Sequence, residues 1–245
     1  MTTIGGVVAS NRETQAKRFI RGVGLEVGAL DAPYPVDATV ATVRYVDRFG
    51  KAELLRHYPE LLPRADLIRE PDIIDDGEQL GLIQKDSQNF VIASHFLEHC
   101  ENPLATLRNF VRVLKPGGYL ALAIPNTANP QSCDHGRVLT EFTHVVRDDV
   151  EGPEVSREHH YWEWVTYAGK MTGAVAEAEK AKLMAMRYSI HYHCWIAETF
   201  VAFLNKAIAR DRLAFEIVDQ YENAYEIAVA LQKAAPEIPQ RSNWL

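Results

Sequence analysis

Eight of the nine histidines in this 245-residue chain fall between His95 and His193, which concentrates candidate proton-transfer and ligand chemistry in one stretch. His144 and Asp148 stand four residues apart in a segment patterned as a helix, so they share one face. A carboxylate beside an imidazole fixes its tautomer and raises its basicity, which makes His144 a candidate general base with Asp148 as its orienter. The same spacing also describes an ordinary surface pair worth about 0.3 kcal/mol. Asp134, in the loop just upstream, can be a solvated acid, an anchor for a hydroxyl-bearing ligand or, with Asp148, a ligand to Mg²⁺, which prefers oxygen donors. Asp148 cannot easily orient His144 and bind metal at once, so one of those roles must yield. His159-His160-Tyr161-Trp162, Trp164 and His191-Tyr192-His193-Cys194-Trp195 set aromatic plates beside hydrogen-bonding rings. That surface suits the C–H faces and hydroxyl rims of a carbohydrate, although such aromatics also build cores. A zinc site is not expected from the histidine pairs, because no compact ligand set with closing cysteines follows them. Cys100, Cys133 and Cys194 are far apart and form neither a zinc spacing nor a secreted disulfide framework.

A second group lies upstream. Leu25-Glu26-Val27-Gly28-Ala29 ends an apolar run, and a glycine there lets the backbone approach a ligand at the carboxyl edge of a parallel sheet. It can equally be a plain strand-ending glycine. Asp47 follows Gly28 by nineteen residues, close to the offset of about 20 at which an acid takes both ribose hydroxyls of a nucleoside. A solvated Asp next to Arg48 is the alternative. Gly28 is followed by Ala29-Leu30-Asp31-Ala32-Pro33 rather than a glycine-rich phosphate loop, which makes a nicotinamide dinucleotide the weaker nucleoside candidate.

These residues need elements to hold them. Ser10 to Arg21 reads as a leading amphipathic helix with Ser10 or Asn11 as cap and Ala16, Phe19 and Ile20 on one face. Val23–Ala29, Ala41–Phe49, Asn89–Ser94 and Tyr119–Ile124 read as strands, with a short third strand within 66–69 or 72–74. Lys51–Leu62 and Pro103–Leu114 read as helices between them, the latter stopped by Lys115-Pro116-Gly117-Gly118. Strands alternating with helices predict a parallel sheet covered on both faces. Phe215–Asp219 and Tyr225–Leu231 predict a closing antiparallel pair. Residues 126–188 break the rhythm with helical pieces at 139–149, 158–168 and 174–186, and predict an inserted helical cap over the carboxyl edge within a single domain spanning 1–245.

Leu25-Glu26-Val27-Gly28, Asp47, Phe90-Val91-Ile92-Ala93-Ser94-His95-Phe96-Leu97-Glu98-His99 and Arg112-Val113-Leu114-Lys115-Pro116-Gly117-Gly118-Tyr119 occur in a telling order. From Val23 to Pro125 the chain resembles the S-adenosylmethionine-dependent methyltransferases, and within them the type 11 group. The resemblance implies a Rossmann-like, seven-stranded α/β sheet. It implies Glu26 and Gly28 beside the methionyl part of the cofactor, Asp47 on the ribose, and Asp76, or its neighbour Asp75, on the adenine side. Ser94 and His95 would lie under the sulfonium. Glu98 and His99 open the next helix, where an acid is favoured by the helix dipole without any ligand. Two glycines usual in the family are Leu30 and Ala32 here, so the loop is expected to pass the methionine carboxylate in another conformation. The Asp that commonly precedes the strand-four Phe is Asn89. Asp134, Arg137, Thr140, His144, Asp148, Gly152-Pro153, Ser156, His160 and Glu163-Trp164 are similar to a bacterial subgroup found with sugar and polysaccharide biosynthesis. That similarity implies O-methylation of a saccharide hydroxyl.

Composition bounds the rest. Lys+Arg number 26 against Asp+Glu 33, a net charge of −7, which argues against a broad nucleic-acid footprint. No apolar run approaches the roughly 20 residues of a membrane span, and the opening Met-Thr-Thr-Ile-Gly-Gly lacks a signal-peptide pattern, so a cytoplasmic, reducing location is expected. A methyltransferase of a small non-sugar metabolite, and a binding scaffold that has lost catalysis, are the competing functions; the oligomeric state is left open.

Overall fold

A computed structural model describes residues 4–235. Seven strands form one sheet in the order β3-β2-β1-β4-β5-β7-β6. They are β1 (Gly22–Val27), β2 (Ala41–Asp47), β3 (Ile73–Ile74), β4 (Gln88–Ser94), β5 (Leu114–Pro125), β6 (Phe215–Glu222) and β7 (Glu226–Lys233). The first five run parallel, and β7 lies antiparallel between β5 and β6. This is the expected α/β sheet, closed by the expected antiparallel pair.

The period-two alternation of the central strands divides the core. Val91, Ala93, Leu120, Leu122 and Ile124 turn to one face, where α3 (Pro103–Val113) and α7 (Ala197–Asp211) cover them. Phe90, Ile92 and Ala121 turn to the other, against Ala16 of α1 (Ile4–Phe19) and Ile20. The leading helix therefore begins earlier than a cap at Ser10 or Asn11 would set it, and Met1–Thr3 lie outside the described residues. Helix α2 (Lys51–His57) stops short of Leu62, because Pro59 forces Tyr58 out of the helical region (φ −121°, ψ 74°) and a 3₁₀ segment, Pro59–Leu67, follows. Only Ile73–Ile74 of the third-strand candidates pairs, beside Val46 and Asp47. Helix α3 starts where Asn102 accepts the Ala105 N–H at 2.9 Å.

Residues 126–188 contain α4 (Phe142–Glu151), α5 (Glu154–Tyr167) and α6 (Gly173–Met186). Val145 of α4 joins the main core, whereas α5 and α6 build their own around Tyr161, Val165, Ala176, Leu183, Ile190 and Tyr192. Helix α7 was not anticipated, although Phe200, Phe203, Leu204 and Ala207 carry its buried face at helical spacing. No helix among the described residues is long and apolar enough to cross a membrane.

Candidate functional site

The chain runs from β1 outward to β2 and β3, then returns to β4 on the other side of β1. A parallel sheet that reverses in this way opens a crevice outside the carboxyl ends of the two central strands. A cavity of about 1110 Å³ sits there, lined by Gly28 after β1, Asp47 at the end of β2, Asp76 after β3 and His95 after β4. It lies just above the roughly 300–1,000 Å³ usual for a small-ligand pocket.

Gly28 has a left-handed backbone (φ +65°), and a Cβ there would lie 3.2 Å from the Phe96 ring. Leu30 also takes a left-handed conformation (φ +47°), the one a glycine adopts freely and other residues adopt at a cost of about 1–2 kcal/mol. Its side chain packs against the Leu54, Leu61 and Ile68 cluster, which holds the turn in place. Leu30 therefore passes the cavity in a left-handed conformation. The half-buried Asp47 accepts the Arg48 N–H at 2.7 Å, and burial pushes its carboxyl up to about 6. Asp75 and Asp76 both line the cavity; Asp76 is exposed and accepts the Glu78 N–H at 2.9 Å, while Asp75 accepts the Leu82 N–H at 2.8 Å.

Glu26 and Ser94 do not line the cavity. The Glu26 side chain is buried on the α1 side of the sheet, where one oxygen accepts the Tyr34 N–H at 2.7 Å and the other has no hydrogen-bond partner. Burial raises its carboxyl to about 7. From that position it fixes the loop from Gly28 to Tyr34. Ser94, half-buried, ends β4 beside Ala123.

Like Leu30, His95 in the cavity wall has a left-handed backbone (φ +52°), and its N–H bonds the Ala123 carbonyl at 2.7 Å. Its Nε2 lies 3.4 Å from Glu226 of β7, and its Nδ1 lies 3.7 Å from Glu98. Burial alone would raise Glu226, but hydrogen bonds from His95, Arg12 and Tyr221 hold it down near 2. Glu98 sits in a 3₁₀ turn, Leu97–His99, and not in the following helix; it is fully buried, neither oxygen has a hydrogen-bond partner, and burial raises its carboxyl.

The opposite wall comes from α5 and the chain after α6. Tyr161, Trp164, Tyr188 and Tyr192 supply aromatic surface, and Arg157 is held by two bonds to Glu101 at 2.6 and 2.7 Å. Tyr188 donates to Glu60 at 2.6 Å and Arg48 donates to the Arg187 carbonyl at 3.3 Å, which ties this wall to the β2 side.

The acceptor-side residues expected from sequence separate into two networks. Asp134 is buried with one oxygen on Arg137 and the other on His191, each at 2.6 Å. Although burial opposes charge on both partners, their contact holds Asp134 low and lifts His191 to about 10. Asp148 accepts the Ser156 hydroxyl at 2.5 Å and lies 3.2 Å from His144. The expected His144–Asp148 pair therefore forms, but His144, Asp134 and Asp148 do not line the cavity. Asp134 and Asp148 do not form the shared oxygen-rich site that Mg²⁺ would need, because Asp134 already neutralises a guanidinium and an imidazolium while Asp148 faces histidine nitrogens. Arg157 and Glu226 were missed: neither belongs to a local pattern that marks a site.

Comparison with known proteins places these observations in a family context. Among curated proteins, none matches the sequence. A methyltransferase from Aquifex aeolicus described as SAM dependent is 13% identical, with 91% of this chain and 90% of that chain covered and a TM-score of 0.47. A Listeria monocytogenes protein assigned as an S-adenosylmethionine-dependent methyltransferase is 13% identical, with 93% and 99% covered and a TM-score of 0.49. One from Methanococcus maripaludis with the same assignment is 11% identical, with 95% and 86% covered and a TM-score of 0.49. Residues 40–122, from just before β2 into β5, match a family model described as a methyltransferase domain. That match covers about a third of the chain, so the segment from β2 into β5 is similar to a methyltransferase domain.

Proposed function

We propose that the protein transfers the methyl group of S-adenosylmethionine to a hydroxyl of a saccharide in polysaccharide biosynthesis. The observation that carries this reading is one cavity joining the Gly28–Asp47 edge to a wall of Tyr161, Trp164 and Tyr192 with hydrogen-bonding neighbours. Aromatic plates edged by polar groups match the faces and rims of a sugar. The similarity of 134–164 to saccharide-biosynthesis enzymes supports the same reading, and the individual member it resembles is a mycobacterial 3-O-methylmannose polysaccharide 1-O-methyltransferase.

The residues present fit the cofactor: Gly28 leaves space that a Cβ would fill against Phe96, and Asp47 offers a half-buried acceptor at the cavity. Bound S-adenosylmethionine supplies an electrophilic methyl group. Asp47 accepts from the ribose hydroxyls, Asp76 serves the adenine side, and Glu26 positions the loop beside the methionyl part. A sugar hydroxyl is a weak nucleophile while protonated, so a base must stand near the attacking oxygen. His95 takes that role: it lines the cavity, Glu226 beside its Nε2 orients the ring, and its strained backbone holds the ring at the carboxyl end of β4. The aromatic wall orients the acceptor for in-line displacement, which supplies much of the rate.

A panel of oligosaccharides and non-sugar metabolites, read by mass spectrometry, tests the reading. Gain of one methyl by a saccharide is expected; methylation of non-sugar acceptors alone would favour the small-metabolite enzyme. His95→Ala should lower kcat by about 10²–10⁴-fold with S-adenosylhomocysteine binding retained. An unchanged rate would remove His95 as base.

A further inference from the structure

We infer that His144, His160 and His193, with Asp148 beside them, form a binding site for a divalent transition metal of the zinc type. The three histidines come from α4, α5 and the segment between α6 and α7, and one ring nitrogen from each lies within 4.8 Å of the others. His144 Nε2 is 3.0 Å from His160 Nε2, and Asp148 Oδ2 is 3.2 Å from the first and 3.8 Å from the second. Zn–N bonds of about 2.0–2.1 Å set ligand-to-ligand separations of about 3.3 Å in a tetrahedron, which the His144–His160 edge approaches. The rings stand edge-on to one another, at interplanar angles of 76°, 67° and 75°, as imidazoles do around a common point.

The donors are also left over by the protein. His193 is fully buried with no hydrogen-bond partner at either ring nitrogen. Asp148 Oδ2 beside them likewise has no aligned hydrogen bond. A buried imidazole without partners costs about 1–3 kcal/mol for each unsatisfied group, a cost that coordination removes. Three imidazoles with a fourth position open suit zinc and its neighbours, whereas Mg²⁺ prefers oxygen. Two other groupings share His191, but its Nδ1 is already committed to Asp134.

Because the ligands join α4, α5 and the 190–195 segment off the cavity, the ion pins the cap. His160 packs edge-on against Tyr192 of the cavity wall at 5.7 Å, so the pin also sets that wall. This inference stands independently of the acceptor proposed above.

The test uses the full chain, stripped with a chelator and titrated separately with Zn²⁺, Co²⁺ and Mg²⁺. One Zn²⁺ per chain should survive gel filtration, and Co²⁺ should give the visible absorption of a tetrahedral site. His160→Asn and His193→Asn should lose both signals, while His159→Asn, at the exposed neighbouring position, keeps them. Should the buried variants fail to fold by circular dichroism, proton NMR of the Co²⁺-loaded unaltered protein decides the matter, with paramagnetically shifted imidazole resonances expected. The inference is overturned by a stripped protein that retains neither Zn²⁺ nor Co²⁺, by a Co²⁺ band that persists in the folded variants, or by absent imidazole shifts.

Discussion

Glu26 and Asp47 stand at the ends of neighbouring strands, yet burial gives them different work. Asp47 faces the cavity, whereas Glu26 is enclosed with one oxygen unpartnered. Its carboxyl moves from the ordinary 4.5 to about 7. Between those values the folded chain holds more protons than the unfolded chain, so Glu26 makes stability fall as pH rises through that window. Glu26→Gln keeps an acceptor for the Tyr34 N–H and removes the buried charge. Urea denaturation should show a flatter pH dependence and, at pH 8, a gain of up to about 3 kcal/mol. Parallel pH profiles for the two proteins would contradict this account.

Among the elements, β1 and β4 set the site by their close approach. A Cβ at Gly24 would fall inside contact distance of the Phe90 carbonyl oxygen and ring, both of which belong to the neighbouring strand. Gly24→Ala should therefore cost about 1–3 kcal/mol in chemical denaturation, through overpacking; an unchanged midpoint would show that the strands separate freely. The strands were legible because Phe90-Val91-Ile92-Ala93 and Leu120-Ala121-Leu122-Ala123 are buried on both faces and read as continuous apolar runs. The α2 break was legible only in retrospect, since Pro59 competes with an otherwise helical pattern. Gly28, Asp47, Asp76 and His95 meet at one edge because strand ends carry them there, a regularity that spacing reveals. Glu226 lies 131 residues from His95, and His160 and His193 come from different elements. No window of sequence contains such pairs, so the search for neighbouring cysteines overlooked a histidine set assembled by folding.

At the scale of the molecule, distant segments converge on the cavity's floor. Arg12 of α1, Tyr221 of β6 and His95 after β4 all bond to Glu226 of β7, so the first helix and the last hairpin together support the residue proposed as base. Ion pairs of Arg108 with Asp149 and Asp211 tie α3, α4 and α7, giving the cap a fixed seat on the sheet. The proposed function requires this assembly to present a donor site at the Gly28–Asp47 edge. Calorimetric titration with S-adenosylhomocysteine tests it most directly. Asp47, raised to about 6, must ionise to accept from the ribose, so affinity should strengthen as pH rises through that value. Asp47→Ala should weaken binding by about 5- to 150-fold, the equivalent of about 1–3 kcal/mol for a lost charged acceptor. Saturable binding with that pH dependence and that loss is the expected result; no binding to the unaltered protein, or the same affinity after Asp47→Ala, would contradict the claim.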